Sequence, residues 1–335
     1  MPAPPRKGEK KADWISNCIS QLRKEGKDQD QAVAQCNSMY KQHIKNRQKK
    51  AEGCMKLIMD IVSNMYWAMS KVGCENMLET VRSKAIFELM SAFDNYDFMF
   101  DESKEEKKPY EIQEGTAIIN INGRLMKEAN GFFARIMGIK GVNDLKAAFE
   151  LAMYADEEVK TVFQHFSSPG GSVDGIIDYA ETVYKARGTK PIMAFCDDEM
   201  ASAAYWMAAP ADYIVIGNET TRTGSIGVIS PPHLDLTGVL KREGIKAYVF
   251  HSGKYKAVPS RFLPLSQDDE NYLQGLFDHI YSTFIDSIAK YRGVPIESVL
   301  NMADGKTFIG NSALDVGLVD EIMPKEEALK KLRSS

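Results

Sequence analysis

The first hundred residues carry apolar positions at helical spacing. Within residues 13–24 the apolar side chains recur every three or four positions, at Ile15, Cys18, Ile19 and Leu22. A similar set follows the polar turn KEGKDQD, and this pattern is typical of amphipathic helices. The spacing predicts a small helical hairpin over residues 13–47 and a methionine-rich helical segment over 51–100. A methionine stripe of this kind indicates a packing face.

Beyond a charged run at 101–109 the pattern changes to short apolar runs. These runs predict buried strands at 116–121, 159–166, 191–195, 212–217, 225–229 and 246–250. Helical patterns lie between several of them, at 143–155 and 173–187, and a wide apolar stripe predicts a long helix over 272–288. Strands that alternate with helices favour an α/β domain with a largely parallel sheet. The stripe suits either a core or an oligomer face.

Composition and charge narrow this picture. The 335 residues are enough for about two domains, and 44% hydrophobic with 26% charged residues is ordinary for a globular protein. The formal net charge is −4, yet residues 1–50 carry 12 Lys and Arg against 5 Asp and Glu. This basic arm is either a solvated surface or a docking element for an acidic partner. On its own it is too little to indicate nucleic-acid binding.

Targeting signals and cysteines bear on the compartment. The longest apolar stretch, from Cys54 to Val72, is interrupted by charges, and the N-terminus lacks the apolar core of an export signal. We therefore expect a protein without a membrane span that stays inside the cell that makes it. The five cysteines form neither a CxxC pair nor a zinc-like cluster, so we expect reduced thiols. No metal or nucleotide motif is present, and we expect no cofactor.

Three segments of the α/β part contain residues that could take part in catalysis. The first, SSPGGS at 167–172, lies between a predicted strand and a helix, where Gly170 and Gly171 allow a tight turn. Backbone N–H groups at such a turn suit an anion or a developing oxyanion. A plain strand-to-helix turn explains the same residues, so this segment alone is not decisive.

The other two segments supply a hydroxyl and an amine. Ser202 lies in MASAAYW, where small neighbours allow a substrate to approach a serine at the start of a buried helix. Lys254 and Lys256 lie in HSGKYK. A serine becomes a good nucleophile when a base takes its proton, and a lysine serves as that base where burial holds it neutral. Taken singly, an alanine-flanked serine and a solvated lysine are both common.

Taken together, the ordered motifs are specific. The order SSPGGS, MASAAYW, TRTGSIGVI and HSGKYK, within residues 114–323, resembles the signal peptide peptidase A (protease IV) family of Ser–Lys peptidases, most of all its phage head maturation proteases. The resemblance implies a ClpP/crotonase-type α/β fold preceded by an α-helical segment. It also implies these roles: nucleophile Ser202, general base Lys256, lysine-orienting Ser225, and an oxyanion hole at Gly170, Gly171 and Ala203. The chain departs from the family pattern at Ala203-Ala204, where glycines are frequent, and at Ala257, where an acidic residue is frequent.

The implied organisation has four parts. Residues 1–50 form a basic helical hairpin with a disordered start, and 51–108 a methionine-rich helical linker or scaffolding segment. Residues 109–325 form the peptidase domain and 326–335 a C-terminal tail. The implied function is a serine endopeptidase that cleaves scaffold or other head proteins during prohead maturation. It would act as a homo-oligomer without membrane contact, in the host cytoplasm and inside assembling heads.

Other functions stay open. A cellular protease of the signal peptide peptidase type shares the same motifs, and a non-catalytic capsid assembly protein shares the fold. A His-dependent protease of the ClpP type would need a histidine soon after the nucleophile, and His233, in the loop-like Ser-Pro-Pro-His, is the candidate. A crotonase-like acyl-CoA enzyme would not need Ser202 and Lys256 together. We interpret His165 as a core or supporting residue, and His43 and His279 as helix-surface residues.

Overall fold

The structure is a computed structural model that describes residues 11–40, 67–69, 108–129, 134 and 137–335. The chain divides into two compact units. Residues 11–40 belong to the first, whereas 67–69 and the residues from 108 onward belong to the second. Most of the predicted methionine-rich helical segment, as well as His43, lies outside the described residues. The four-part division of the chain stays a prediction.

The N-terminal unit contains the predicted helical hairpin. Helix α1 (Lys11–Lys24) is followed by a turn and by α2 (29–40). Trp14, Leu22 and Ala32 form its small core together with a disulfide between Cys18 and Cys36, whose Cα atoms are 6.0 Å apart. The expectation of reduced thiols is therefore wrong for this pair. Because a hairpin of this size buries little apolar surface, a covalent link between its helices substitutes for a larger core.

The second unit is an α/β domain. Its strands are β1 (Trp67–Met69), β2 (Glu111–Gln113), β3 (Thr116–Asn122), β4 (Arg124–Met126), β5 (Ile139–Gly141), β6 (Thr161–Ser168), β7 (Gly170–Ser172), β8 (Ile192–Ala201), β9 (Tyr213–Ile216), β10 (Arg222–Gly224), β11 (Thr307–Ile309) and β12 (Glu321–Ile322). Its helices are α3 (Val142–Glu150, continued by a π-helical turn), α4 (Ile176–Ala186), α5 (Ala203–Ala208), α6 (Thr237–Arg242), α7 (Gln267–Arg292), α8 (Ile296–Leu300), α9 (Asn311–Asp315) and α10 (Lys325–Arg333).

The main sheet has a parallel centre, as predicted. Strands β3, β6, β8 and β10 lie side by side and run parallel, with antiparallel β2 and β11 at the two ends. Strand β9 also pairs with β8, and β12 with β9. A smaller sheet has the order β1-β7-β4-β5. The α/β class is confirmed, and so is a helical segment before it.

The central strands are buried on both faces. On one face α10 packs against Phe163 and Phe195. On the other, α3, α4 and α5 pack over the even-numbered positions of β6, with Val162 and Phe166 among the contacts. Burial on both faces explains why these strands read as near-continuous apolar runs in the sequence. The predicted strands at 116–121, 159–166, 191–195 and 212–217 are all present.

Three predicted elements differ in the structure. Residues 67–69, predicted helical, form β1 because they pair with β7, a tertiary contact that overrides local propensity. No strand runs over the predicted range 225–229. The observed strand β10 lies just before it and ends at Gly224, where the chain turns. The run 246–250 is an exposed irregular segment, in which Phe250 is 92% exposed. An apolar run predicts burial, yet none of the described residues of this chain covers it.

The predicted long helix is present and extends over 26 residues as α7. It begins with a capping box between Ser266 and Asp269 and ends at Gly293, which adopts a left-handed conformation. Its C-terminal half carries buried residues such as Phe284 and Ile288, whereas its N-terminal half has none. The apolar stripe therefore contributes to the core along only half of its length. Among the described residues, no helix is long and apolar enough to span a membrane.

Candidate active site

Ser202 occupies the junction between a buried strand and a buried helix. Strand β8 ends at Ala201, and α5 begins at Ala203. Between them Ser202 has φ of +54°, a conformation that side-chain-bearing residues rarely adopt. Such strain costs about 1–3 kcal/mol and persists only where the surrounding structure imposes it. The Ser202 side chain is fully buried, and its Oγ is without a hydrogen-bond partner among the described residues.

Ser225 lies beside Ser202 because their two strands end together. Gly224 of β10 stands opposite Ala201 of β8 in parallel register, and the Ser202 N–H donates to the Gly224 carbonyl over 2.7 Å. The Thr223 hydroxyl donates to the Met200 carbonyl over 2.9 Å and ties the strand ends together. Ser225 has a positive φ of +51° and is nearly buried. Both serines therefore leave the sheet at the same level, in similarly strained conformations.

The glycine pair lies on the neighbouring strand end. Ser168 of β6 pairs with Met200, two residues before Ser202, and Gly170 and Gly171 of β7 follow Ser168 after the single residue Pro169. Gly170 has φ of +99°. A Cβ on Gly171 would lie 1.9 Å from the Leu125 carbonyl oxygen, so only glycine fits there. The backbone of this turn thus reaches the sheet edge that carries Ser202.

Ala203 contributes the first N–H of α5. The first N–H groups of a helix have no partner within it, and they attract negative charge. All six residues of α5 are buried, and Trp206 stacks on Phe284 of α7 with ring centroids 4.2 Å apart. The helix is therefore held rigidly behind Ser202. Five of the six predicted site residues (Ser202, Ser225, Gly170, Gly171 and Ala203) come together at one end of the parallel strands.

The sixth predicted residue, Lys256, does not join them within this chain. It lies in a turn, not a strand, and its side chain is exposed. No residue from 227 to 283, a range we call the exposed segment, is buried. The turn is fastened to the beginning of α7, since Tyr255 stacks on Tyr272 with ring centroids 4.4 Å apart. From Tyr272 to Phe284, which contacts Trp206, is 12 residues, or about 18 Å along a helix that rises 1.5 Å per residue.

Lys254, two residues earlier, is held as a cation. Its Nζ lies 2.8 Å from the Asp268 carboxylate and 4.9 Å from the Tyr255 ring centroid. The hydrogen bond to Asp268 raises the pKa of Lys254 above its ordinary value. A raised pKa keeps the amine protonated, which is the wrong state for a general base. Of the two lysines in HSGKYK, Lys254 is therefore the less suitable general base.

A cavity of about 390 Å³ opens beside Ser225. Apolar side chains that include Ile226, Phe277 and Tyr281 line part of it, and Asp278 and Asp304 add carboxylates. The cavity lies between the strand-end turn and the N-terminal half of α7. It offers space for a side chain that approaches Ser225 from outside the sheet.

The histidines lie away from this geometry. His165 is on the β6 face that packs under α10, where its ring contacts Asp197 over 3.0 Å and Lys325 over 3.3 Å. This agrees with a supporting role for His165. His233 lies in a loop, and His279 is on the exposed face of α7, as predicted. Ser202 Oγ forms no hydrogen bond to any of these described histidines.

Sequence reasoning missed two supporting residues. Ser168 is buried, and its hydroxyl accepts the Gly170 N–H over 3.2 Å, which shapes the glycine turn. Thr223 ties the two serine-bearing strands together. The only sequence signal that points to them is their position, since Thr223 directly precedes the Gly-Ser pair and Ser168 precedes the Gly-Gly pair by one intervening proline. Within the described ranges, no group of three or more His, Cys, Asp or Glu side chains could hold a metal ion.

Comparisons with known proteins point to one family. A putative protease of Methanocaldococcus jannaschii is 38% identical over 180 residues, which is 53% of this chain and 56% of that protein. Capsid assembly protease C of Escherichia phage lambda is 26% identical over 70% of this chain and 52% of its own length. A putative signal peptide peptidase SppA of Enterococcus faecium is 33% identical over 53% of this chain and 52% of its own. The chain thus spans about half the length of the curated relatives that it matches.

A solved structure and a family pattern complete the comparison. A mutant ClpP1 from Listeria monocytogenes matches over 63% of this chain and 94% of that chain, with 14% identity and a TM-score of 0.37. At that score the fold rests on the topology described above. Peptidase family S49 matches residues 185–335, which include Ser202, Ser225 and Lys256. The resemblance to the signal peptide peptidase A family is confirmed, since residues 185–335 of this chain match peptidase family S49 and the relatives above include a putative signal peptide peptidase and a phage capsid assembly protease.

Proposed function

We propose that this chain is a serine endopeptidase in which Ser202 attacks the peptide carbonyl and Lys256 takes the serine proton. The observation that carries the proposal is the strained, buried Ser202, which lies beside Gly171 and Ser225 and whose hydroxyl has no hydrogen-bond partner among the residues that the structure describes. Strain of this kind clusters at active sites, where it fixes a reacting group. The Ala203 N–H and the glycine turn would stabilise the tetrahedral oxyanion.

The position of Lys256 favours a dyad completed between copies of the chain. An exposed lysine is solvated and protonated, so it needs burial before it can act as a base. Large apolar side chains are exposed along the same segment: Ile229, Leu234, Val239, Ile245, Tyr248, Phe250 and Phe262. Exposed apolar surface on this scale is typical of protein interfaces. A second copy that covers the exposed segment would desolvate Lys256 and could bring it into the cavity beside Ser225.

The substrate we propose is a protein of an assembling phage head. This follows from the similarity to capsid assembly protease C of phage lambda, which covers 70% of this chain. The basic arm of residues 1–50 would attract an acidic scaffold partner. In this proposal the homo-oligomer works in the host cytoplasm and inside proheads, without membrane contact, metal or other cofactor.

The test is co-expression of the chain with capsid and scaffold proteins encoded beside it. We expect intact-mass measurements to show truncated head proteins with the wild type and full-length ones with Ser202→Ala. Ser167→Ala is the matched control, since Ser167 donates to Asp198 on the other face of β6 and should leave cleavage unchanged. Cleavage of unrelated peptides but not head proteins would favour a cellular peptidase. Full cleavage by Ser202→Ala would overturn the mechanism.

A further inference from the structure

Strand β7 has a neighbour on each edge, and one of them comes from far away in the sequence. On one edge β4 runs parallel, with Leu125 opposite Gly171. On the other edge β1 runs antiparallel, with Trp67 opposite Ser172, Ala68 opposite Gly171 and Met69 opposite Gly170. About a hundred residues separate the two paired segments in the chain. A sheet edge at the candidate active site is therefore occupied by the protein's own backbone.

That edge has the properties of a peptide-binding surface. It is formed by Gly170 and Gly171, the residues proposed to stabilise the oxyanion, and it adjoins Ser202 through the pairing of Ser168 with Met200. Extended peptides bind exposed sheet edges by adding a strand, with affinity from main-chain hydrogen bonds. Gly170–Ser172 and Ser202 are all buried in this structure, so the site is closed to a substrate.

We propose that Trp67–Met69 is an intramolecular occupant of the edge on which a substrate peptide binds, and that it must leave before cleavage. This inference rests on the peptidase function proposed above. The occupant we commit to is this segment itself, because its antiparallel register places three consecutive residues along the whole of β7. A tethered strand competes at an effective concentration that reaches the millimolar range when its tether permits binding. Free peptide at micromolar concentration would lose that competition.

Competition of this kind has a kinetic signature. An occupant that excludes substrate lowers the competent fraction of the enzyme and raises the apparent KM by the same factor. It leaves kcat unchanged, because a bound substrate meets an unaltered Ser202. A segment that merely supports the fold would lower kcat or stability when disturbed. The split between KM and kcat therefore separates the two roles.

Two proline variants of the full chain make a matched pair. The Gly170 N–H donates to the Ser168 hydroxyl, and from this we infer that Ala68 and Gly171, rather than Met69 and Gly170, exchange hydrogen bonds across the two strands. Hydrogen-bonded and non-bonded pairs alternate in an antiparallel ladder. Ala68→Pro should therefore remove a bond to β7, because proline lacks the N–H. Met69→Pro should not, because the N–H of Met69 faces away.

The experiment has a cleavage arm and a binding arm. We expect Ala68→Pro to lower the apparent KM for a short fluorogenic peptide about tenfold with kcat unchanged, and Met69→Pro to match wild type. In the Ser202→Ala background, fluorescein-labelled casein should bind about tenfold more tightly with Ala68→Pro. Amides of 170–172 should also exchange faster with solvent in that variant. Unchanged binding and exchange in Ala68→Pro would overturn the inference, whereas tighter binding without any cleavage by the wild type would overturn the peptidase proposal alone.

Discussion

Two regions of the α/β domain carry the proposed dyad, and they differ in how they are built. Around Ser202, residues 200–209 are all buried, and neighbouring strands fix the backbone on both sides. Around Lys256, no residue between 227 and 283 is buried, although the segment contains large apolar side chains. The chain therefore holds its proposed nucleophile in a buried, fixed position and leaves its proposed base on an exposed surface. Assembly, in this view, controls when the serine is activated.

The largest effect should come from the two lysines of the exposed segment. Lys256→Ala should lower kcat by a factor of about 10³ or more, since removing one member of a nucleophile–base unit costs several orders of magnitude. Lys254→Ala should change kcat by no more than a few-fold, because Lys254 is paired with Asp268. Steady-state cleavage of a fluorogenic peptide measures both variants. If Lys256→Ala kept the wild-type kcat and Lys254→Ala were inactive, Lys254 and not Lys256 would be the base.

The next effect compares glycines of the two regions. Gly171→Ala should destabilise the domain by about 3 kcal/mol and abolish activity, since its Cβ would lie 1.9 Å from a backbone oxygen. Gly244→Ala has a positive φ of +68° but no atom within 4 Å of its Cβ, so only about 1 kcal/mol of backbone strain is expected. Urea unfolding followed by circular dichroism measures the difference. Equal costs would mean that the glycine turn relaxes freely and is not preorganised.

The same contrast explains what the sequence could predict. The strand at 191–195 and the helix at 173–187 were predictable because each is buried mainly by neighbours within this chain, so its apolar periodicity matches its environment. The run 246–250 has an equally apolar pattern but no covering surface within the part of the chain that the structure describes, and the predicted strand is absent there. Sequence periodicity reports that a residue should be buried, but not whether the same chain buries it.

The candidate site divides in a similar way. The Gly-Gly and Ser-Ala-Ala motifs were recognisable because their backbone requirements restrict the residue type, as the Leu125 oxygen does at Gly171. Pairing of β1 with β7 was not predictable, because residues 67–69 lie in a helical pattern and join the sheet only through a long-range contact. The Cys18–Cys36 bond was missed because cysteine counts describe the compartment, whereas the hairpin geometry brings these two sulfurs together.

A third prediction tests whether the exposed segment is an interface. Combined Tyr248→Ser and Phe250→Ser changes remove two side chains that are 74% and 92% exposed. We expect the oligomer of the double variant to dissociate at higher protein concentrations than the wild-type oligomer does. The specific activity of the variant at low protein concentration should fall about tenfold and should recover at high concentration by mass action. Light scattering and activity over a dilution series measure this. Tyr154→Ser, also exposed but outside the segment, is the control and should change neither quantity.

The smallest expected effect concerns Glu181, in the region behind Ser202, and the pH dependence of its contribution to the free energy of unfolding. Glu181 of α4 accepts hydrogen bonds from Lys290 over 2.6 Å and from Tyr291 over 2.8 Å, which fastens α4 to α7 behind the site. The Lys290 hydrogen bond lowers the pKa of Glu181 below its ordinary value of 4.5. A carboxyl whose folded pKa is lowered stabilises the fold above its unfolded pKa, and the contribution is lost as pH falls through the folded pKa.

Glu181→Gln should therefore lower the free energy of unfolding by about 0.5–1 kcal/mol at pH 7, a modest loss because the pair is partly solvated. The difference from wild type should shrink as the pH drops below about 4.5, where the unfolded-state carboxyl begins to take up a proton, and should vanish below the lower folded-state pKa. Thermal unfolding at pH 7, 5.5 and 4 measures the trend, with the exposed Glu157→Gln as a control that should match wild type throughout. A Glu181→Gln deficit that grows toward low pH would contradict the sign of this linkage. Because the turn that carries Lys256 is fastened to the beginning of α7 and the Glu181 contact lies at its end, kcat at pH 7 should stay within a few-fold of wild type.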